Sequence, residues 1–152
     1  MLRNDARADQ LYALRSRRRR PEEKLLRLFR RKSDNEPVDM NERSPQLRVK
    51  YKDLMVLDQL AKNGADLSAS RHVIYYSYAP SEEVAHAMGR EAETGGWAAE
   101  VREPLPNFPD QWGLICETHA VTTPDFVRQA DDFFQGLADR HGAEYDGWEA
   151  SA

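Results

Sequence analysis

The sequence predicts an α+β fold, and three observations carry that prediction. Segments rich in aromatic and β-branched residues (72–79, 97–103, 111–121 and 143–148) alternate with segments whose apolar residues recur at helical spacing. Pro or Gly stands at most junctions between the two kinds of segment. The resulting order is strand, helix, strand, strand, helix, strand, with one further helix in front.

Each element has a local reason. From Tyr51, the residues Leu54, Leu57, Leu60 and Ala61 follow a helical period, and Gly64 supplies the left-handed residue that stops it. His72 to Ala79 carries the content of a strand, and Pro80 ends it. Ser81 caps a helix with Glu82 and Glu83 in its first turn, where the dipole favours negative charge. Val84, Ala85, Met88 and Ala92 form its inward stripe, and Gly95–Gly96 terminates it. A second strand runs from Trp97 to Glu103 and stops at Pro104, which opens a stiff loop with three prolines. Residues 111–121 make the longest strand. Thr123 and Pro124 then start the last helix. Its inward positions are Phe126, Ala130, Phe133, Phe134, Leu137 and Ala138, with Arg128, Asp131, Asp132, Gln135 and Asp139 outside. Gly142 closes it, and residues 143–148 form a short final strand.

This order is that of a ferredoxin-like sandwich, or split βαβ fold, with one preceding helix. In such a sheet the first and third strands are central. Their length and apolar content agree, and Pro104 suits the second strand to an edge.

Composition divides the 152 residues unevenly. Residues 1–32 hold 12 Lys/Arg against 4 Asp/Glu, and residues 33–152 hold 10 against 22. The expected domains are therefore a basic N-terminal arm and linker over 1–47, disordered or partly helical, and a folded acidic domain over 48–152. An acidic body repels phosphate, so its expected partner is a basic protein surface and not nucleic acid. Several readings of residues 1–32 stay open. They are a solvated arm, a stretch upstream of a true start at Met40, or an anion contact through Arg17, Arg18, Arg19 and Arg20 that draws RNA weakly or an anionic membrane. A lone cysteine, Cys116, fits a reducing compartment, and no segment reads as a membrane span or a signal peptide. The expected compartment is the cytoplasm.

No constellation for chemistry emerges. Cys116 and His119 lie three apart on a strand and so face opposite ways, with Cys116 on the core side beside Trp112 and Leu114. His72, His86 and His141 fall on separate elements. Glu82/Glu83 and Asp131/Asp132 splay about 100° apart on their helices and make no acid–base dyad. Gly95–Gly96 follows a helix, the reverse of a phosphate cradle. The third strand has one aromatic residue, Trp112, and no Lys or Arg, so RNA stacking on the sheet is not expected. Neither a metal nor a cofactor is expected, and no catalytic residue. Candidate partner contacts, from charge, position and aromatic content, are Asp58, Asp66, Tyr145, Asp146 and Trp148. For Tyr145 and Trp148, packing and partner contact both remain open.

Three stretches carry a family likeness. They are Val56-Leu57-Asp58-Gln59-Leu60 through Asn63-Gly64-Ala65-Asp66, the helix after Ser81 leading into Gly96-Trp97, and the closing Glu144-Tyr145-Asp146-Gly147-Trp148. Over residues 50–150 the chain resembles the regulator of ribonuclease E activity B family, most specifically in Tyr-Asp-Gly-Trp. The resemblance implies a small cytoplasmic acidic protein of ferredoxin-like fold. It also implies inhibition of an endoribonuclease by binding it, or a basic scaffold region of it, so that different transcripts are cleaved. It carries over no catalytic residue, and it leaves the Arg-rich N-terminus outside.

Overall fold

The computed structural model describes residues 37–152. Residues 1–32 of the expected basic arm, with the Arg17–Arg20 block, lie outside that range. The described elements are α1 (Tyr51–Lys62), β1 (Ser70–Ala79), α2 (Glu82–Thr94), β2 (Ala98–Arg102), β3 (Trp112–Val121), α3 (Pro124–His141) and β4 (Glu144–Ala150). This is a mixed α+β architecture with a four-stranded antiparallel sheet in the order β2-β3-β1-β4. The first and third strands are central, as the sequence predicts, and each is 10 residues long. The described residues divide into two units.

The first unit takes residues 37–71, 121–128 and 151–152. The sequence puts the start of the ordered chain near Tyr51, but the backbone is already organised before it. Ser44 N–H donates to the Val49 carbonyl at 2.9 Å, and Arg48 N–H donates to the Ser44 carbonyl at 2.8 Å. Leu47 N–H reaches the Ser44 hydroxyl at 3.0 Å. This turn rests on hydrogen bonds to one serine, which apolar periodicity cannot reveal. Along α1, Leu54, Leu57, Leu60 and Ala61 are buried as expected. Gly64, at φ 84°, takes the left-handed conformation just past the C-cap Asn63. Arg71 donates to the Ser151 carbonyl at 2.9 Å and to the Asp66 carbonyl. Burial lowers the pKa of its guanidinium, and Asp66 partly opposes that. Thr123 caps α3 by accepting from Phe126 N–H at 3.1 Å.

The second unit takes residues 72–120 and 129–150 and holds most of the sheet. Its core is aromatic. Tyr75, 1 % exposed, stacks on Phe134 with ring centroids 4.6 Å apart, on Trp148 at 5.8 Å and on Tyr145 at 6.1 Å, and meets Trp97 edge-on at 5.2 Å. Ser81 caps α2 through Val84 N–H at 3.2 Å, and Ala85, Met88 and Ala92 are fully buried along it. Gly89 is buried on this helix, where a methyl group would make ordinary contact with the Leu114 side chain at 3.5 Å and with Ala99 at 3.6 Å.

Three expectations need correction. Asp131 is 1 % exposed and not on the outer face of α3. Val127, fully buried, belongs to the inward stripe, whereas Phe126 is half-buried. Both errors come from anchoring the stripe on the phenylalanines, because Phe126 and Phe133 occupy its flank. The final strand also runs to Ala150 instead of Trp148. Its register against β1 slips between Tyr76 and Ser77, and Gly147 absorbs the irregularity at φ 108°.

Candidate functional site

Alternation along the paired strands separates two faces in the second unit. Val73 opposes Ala150, Tyr75 opposes Trp148, Val101 opposes Leu114 and Ala99 opposes Cys116, and these side chains face the helices. The other face carries His72, Ile74, Tyr76 and Tyr78 from β1 and Gly113, Ile115, Glu117 and His119 from β3. The edge strands add Ala98, Glu100 and Arg102 from β2, and Glu149, Gly147 and Glu144 from β4. We call it the helix-free face.

This face brings together groups far apart in sequence. His72 Nε2 lies 2.8 Å from Glu117 Oε2, and the His72 and His119 rings stack with centroids 5.1 Å apart. Alternation alone could assign these residues to one face, but only the pairing of β1 with β3 makes them neighbours. Tyr76 Oη donates to Glu149 Oε1 at 2.7 Å. Burial, and then this hydrogen bond, push its hydroxyl up to about 12. Arg102 pairs with Glu100 at 3.5 Å.

Beside Tyr76 and Tyr78 the face deepens into a groove of about 390 Å³, walled by Leu105, Phe108 and Arg102 and floored in part by Ile115. Leu105 is 69 % and Phe108 54 % exposed. Sequence reasoning describes their loop only as stiff and misses this wall. The available signal is two large apolar residues set among three prolines.

The hydroxyls named on the helix-free face belong to Tyr76 and Tyr78, and that of Tyr76 is engaged by Glu149 at 2.7 Å. Cys116 is buried on the opposite face, and burial pushes its thiol up to about 12, which keeps it protonated near neutral pH. Among the described residues no group of three His, Cys, Asp or Glu is placed to hold a metal ion. None of their helices is long and apolar enough to cross a membrane.

The sequence-named contacts fall in different settings. In the first unit, Asp58 is 8 % exposed and pairs with Lys62 at 2.7 Å. Asp66 is exposed, and its Oδ1 accepts from the Ser68 N–H at 3.0 Å and hydroxyl at 2.6 Å. In the second unit, Trp148 is buried and Tyr145 half-buried in the aromatic core, while Asp146 is exposed at the β4 irregularity. The structure brings Tyr145 and Trp148 together on Tyr75. Arg17, Arg18, Arg19 and Arg20 lie outside the described residues.

Fold and site together define a class: a small α+β domain with an aromatic core and an acidic, grooved sheet face. A family model described as regulator of ribonuclease activity B matches residues 52–150. The chain belongs to that family, a family of regulators of ribonuclease activity. A search among curated proteins finds no match.

Proposed function

We propose that this chain is a non-enzymatic, ferredoxin-like regulatory protein of the cytoplasm. It binds an endoribonuclease of the ribonuclease E kind, or a basic scaffold region of it, and inhibits or redirects cleavage and so RNA turnover. Residues 48–152 would be the regulatory domain and 1–47 a basic arm and linker. The observation that carries this reading is the family match over residues 52–150. The excess of 22 Asp/Glu over 10 Lys/Arg in residues 33–152 supports it, because long-range attraction speeds encounter with a basic surface. Asp66 and Asp146 suit such contact best among the named residues, since both are exposed, whereas Asp58 and Trp148 are buried and Tyr145 is half-buried.

The test combines the purified full chain with a ribonuclease E-type enzyme that includes its basic scaffold. Calorimetry should report saturable binding, and a transcript digest should show slowed or redistributed cleavage. Unchanged cleavage with no heat of binding at micromolar protein would end this reading.

A second reading, RNA binding through Arg17–Arg20, is favoured by the 12 Lys/Arg against 4 Asp/Glu of residues 1–32. It requires that RNA retained by the full chain be released when Arg17 to Arg20 are replaced by glutamine.

A further inference from the structure

We propose that the groove beside Tyr78 is a docking site for a basic peptide segment of the protein partner, anchored by an apolar or aromatic side chain. The proposal rests on the reading that this chain acts by binding a protein.

Four observations carry it. Leu105 and Phe108 put two large apolar side chains into solvent at one place, and a concentrated exposed apolar patch marks an interaction surface. Their loop is held in shape before any partner arrives. Pro104, Pro106 and Pro109 restrict its backbone, Phe108 N–H donates to the Leu105 carbonyl at 2.9 Å, and Gln111 N–H donates to the Phe108 carbonyl at 3.1 Å. Little ordering entropy is therefore left to lose on binding. Gly113 lines the groove and withholds a side chain from it beside the tyrosines. The volume of about 390 Å³ lies at the low end of the range of ligand clefts.

Charge selects the occupant. Glu100, Glu103, Glu117, Glu144 and Glu149 lie on or beside this face against Arg102; Glu100, Glu117 and Glu149 already engage Arg102, His72 and Tyr76, and Glu103 lines the groove itself. A nucleic-acid backbone would be repelled, whereas Lys or Arg flanking a buried anchor would be attracted. The anchor supplies residence and the flanking cations supply encounter rate.

The test titrates full-length protein with a synthetic peptide, Arg-Arg-Leu-Trp-Arg-Arg, and with its Arg-Arg-Ala-Ala-Arg-Arg counterpart. The first should bind and the second should bind about tenfold more weakly, the size of one moderate anchor contact. The double variant Leu105→Ala/Phe108→Ala alters exposed side chains and should keep the wild-type circular dichroism spectrum while losing about tenfold in affinity for the first peptide. Glu103→Lys should weaken it further as salt is lowered. Equal binding of the two peptides, or unchanged affinity in the double variant, would overturn the proposal. It would also be overturned if the peptide bound only after Leu25, Leu26 and Phe29 were replaced by alanine, since the groove would then serve the chain's own basic segment. Concentration-dependent dimers abolished by Phe108→Ala would assign the groove to a second copy and equally overturn it. If the double variant still bound the ribonuclease with wild-type affinity, only the groove assignment would fall. If wild-type protein bound no ribonuclease, the regulatory reading would fall independently of the peptide result.

Discussion

Phe134 stacks on Tyr75 at 4.6 Å, meets Trp97 edge-on at 4.8 Å and is fully buried, so its removal empties the middle of the aromatic core. Phe134→Ala should cost about 3–5 kcal/mol in chemical denaturation, since a large cavity adds to lost transfer free energy. A cost under about 1 kcal/mol would mean that the neighbouring rings collapse into the space. The sequence marks Phe134 as inward by its period. It equally marks Phe133 and Phe126, which the structure leaves half-buried. Residue-level burial depends on the angle at which a helix meets its sheet, and helical spacing alone tolerates an error of one position. Asp131 is misread for the same reason. Cys116 is read correctly, because a two-residue period leaves no intermediate choice.

At the scale of elements, α2 and α3 are tied by one carboxylate. Glu91 Oε2 accepts from Arg140 at 3.0 Å, and its Oε1 lies 2.7 Å from His141 Nε2. The Arg140 and His141 hydrogen bonds hold the Glu91 carboxyl below its ordinary value of 4.5. A carboxyl depressed in the folded state adds stability that is complete above its unfolded pKa and lost as pH falls through the folded one. Glu91→Gln should therefore lose about 0.5 kcal/mol near neutral pH, discounted for solvent screening. Denaturation curves of variant and wild type should converge as pH drops below 4.5, so a constant gap across that range would refute the assignment. Element order, caps and central strands are legible in the sequence, since Ser81, Thr123, Pro80 and the glycines act locally. The β4 irregularity and the Glu91 link are not, because each depends on a partner from another element: β1 for the first, α3 for the second.

Across the whole molecule the dominant sequence signal is charge segregation. With 22 acidic against 10 basic residues over 33–152, the chain should associate with a basic partner at a rate that falls several-fold between about 0.05 M and 0.5 M salt, as the screening length shrinks below the size of the surface. Stopped-flow association rates insensitive to salt over that range would remove electrostatic steering from the account. The dissociation rate should change little, because anchors inside a groove are shielded from ions.

Helical and strand periods, together with Pro and Gly at the junctions, were enough to determine from sequence alone an α+β chain with one leading helix, two central strands and an acidic body. These signals arise between residues close along the chain. The grouping of His72, Glu117 and His119, the groove walled by Leu105 and Phe108, and the burial of Asp131 were decided only by tertiary structure. Each requires strand pairing or helix docking to place residues side by side, and those choices are made by the packing of the whole core.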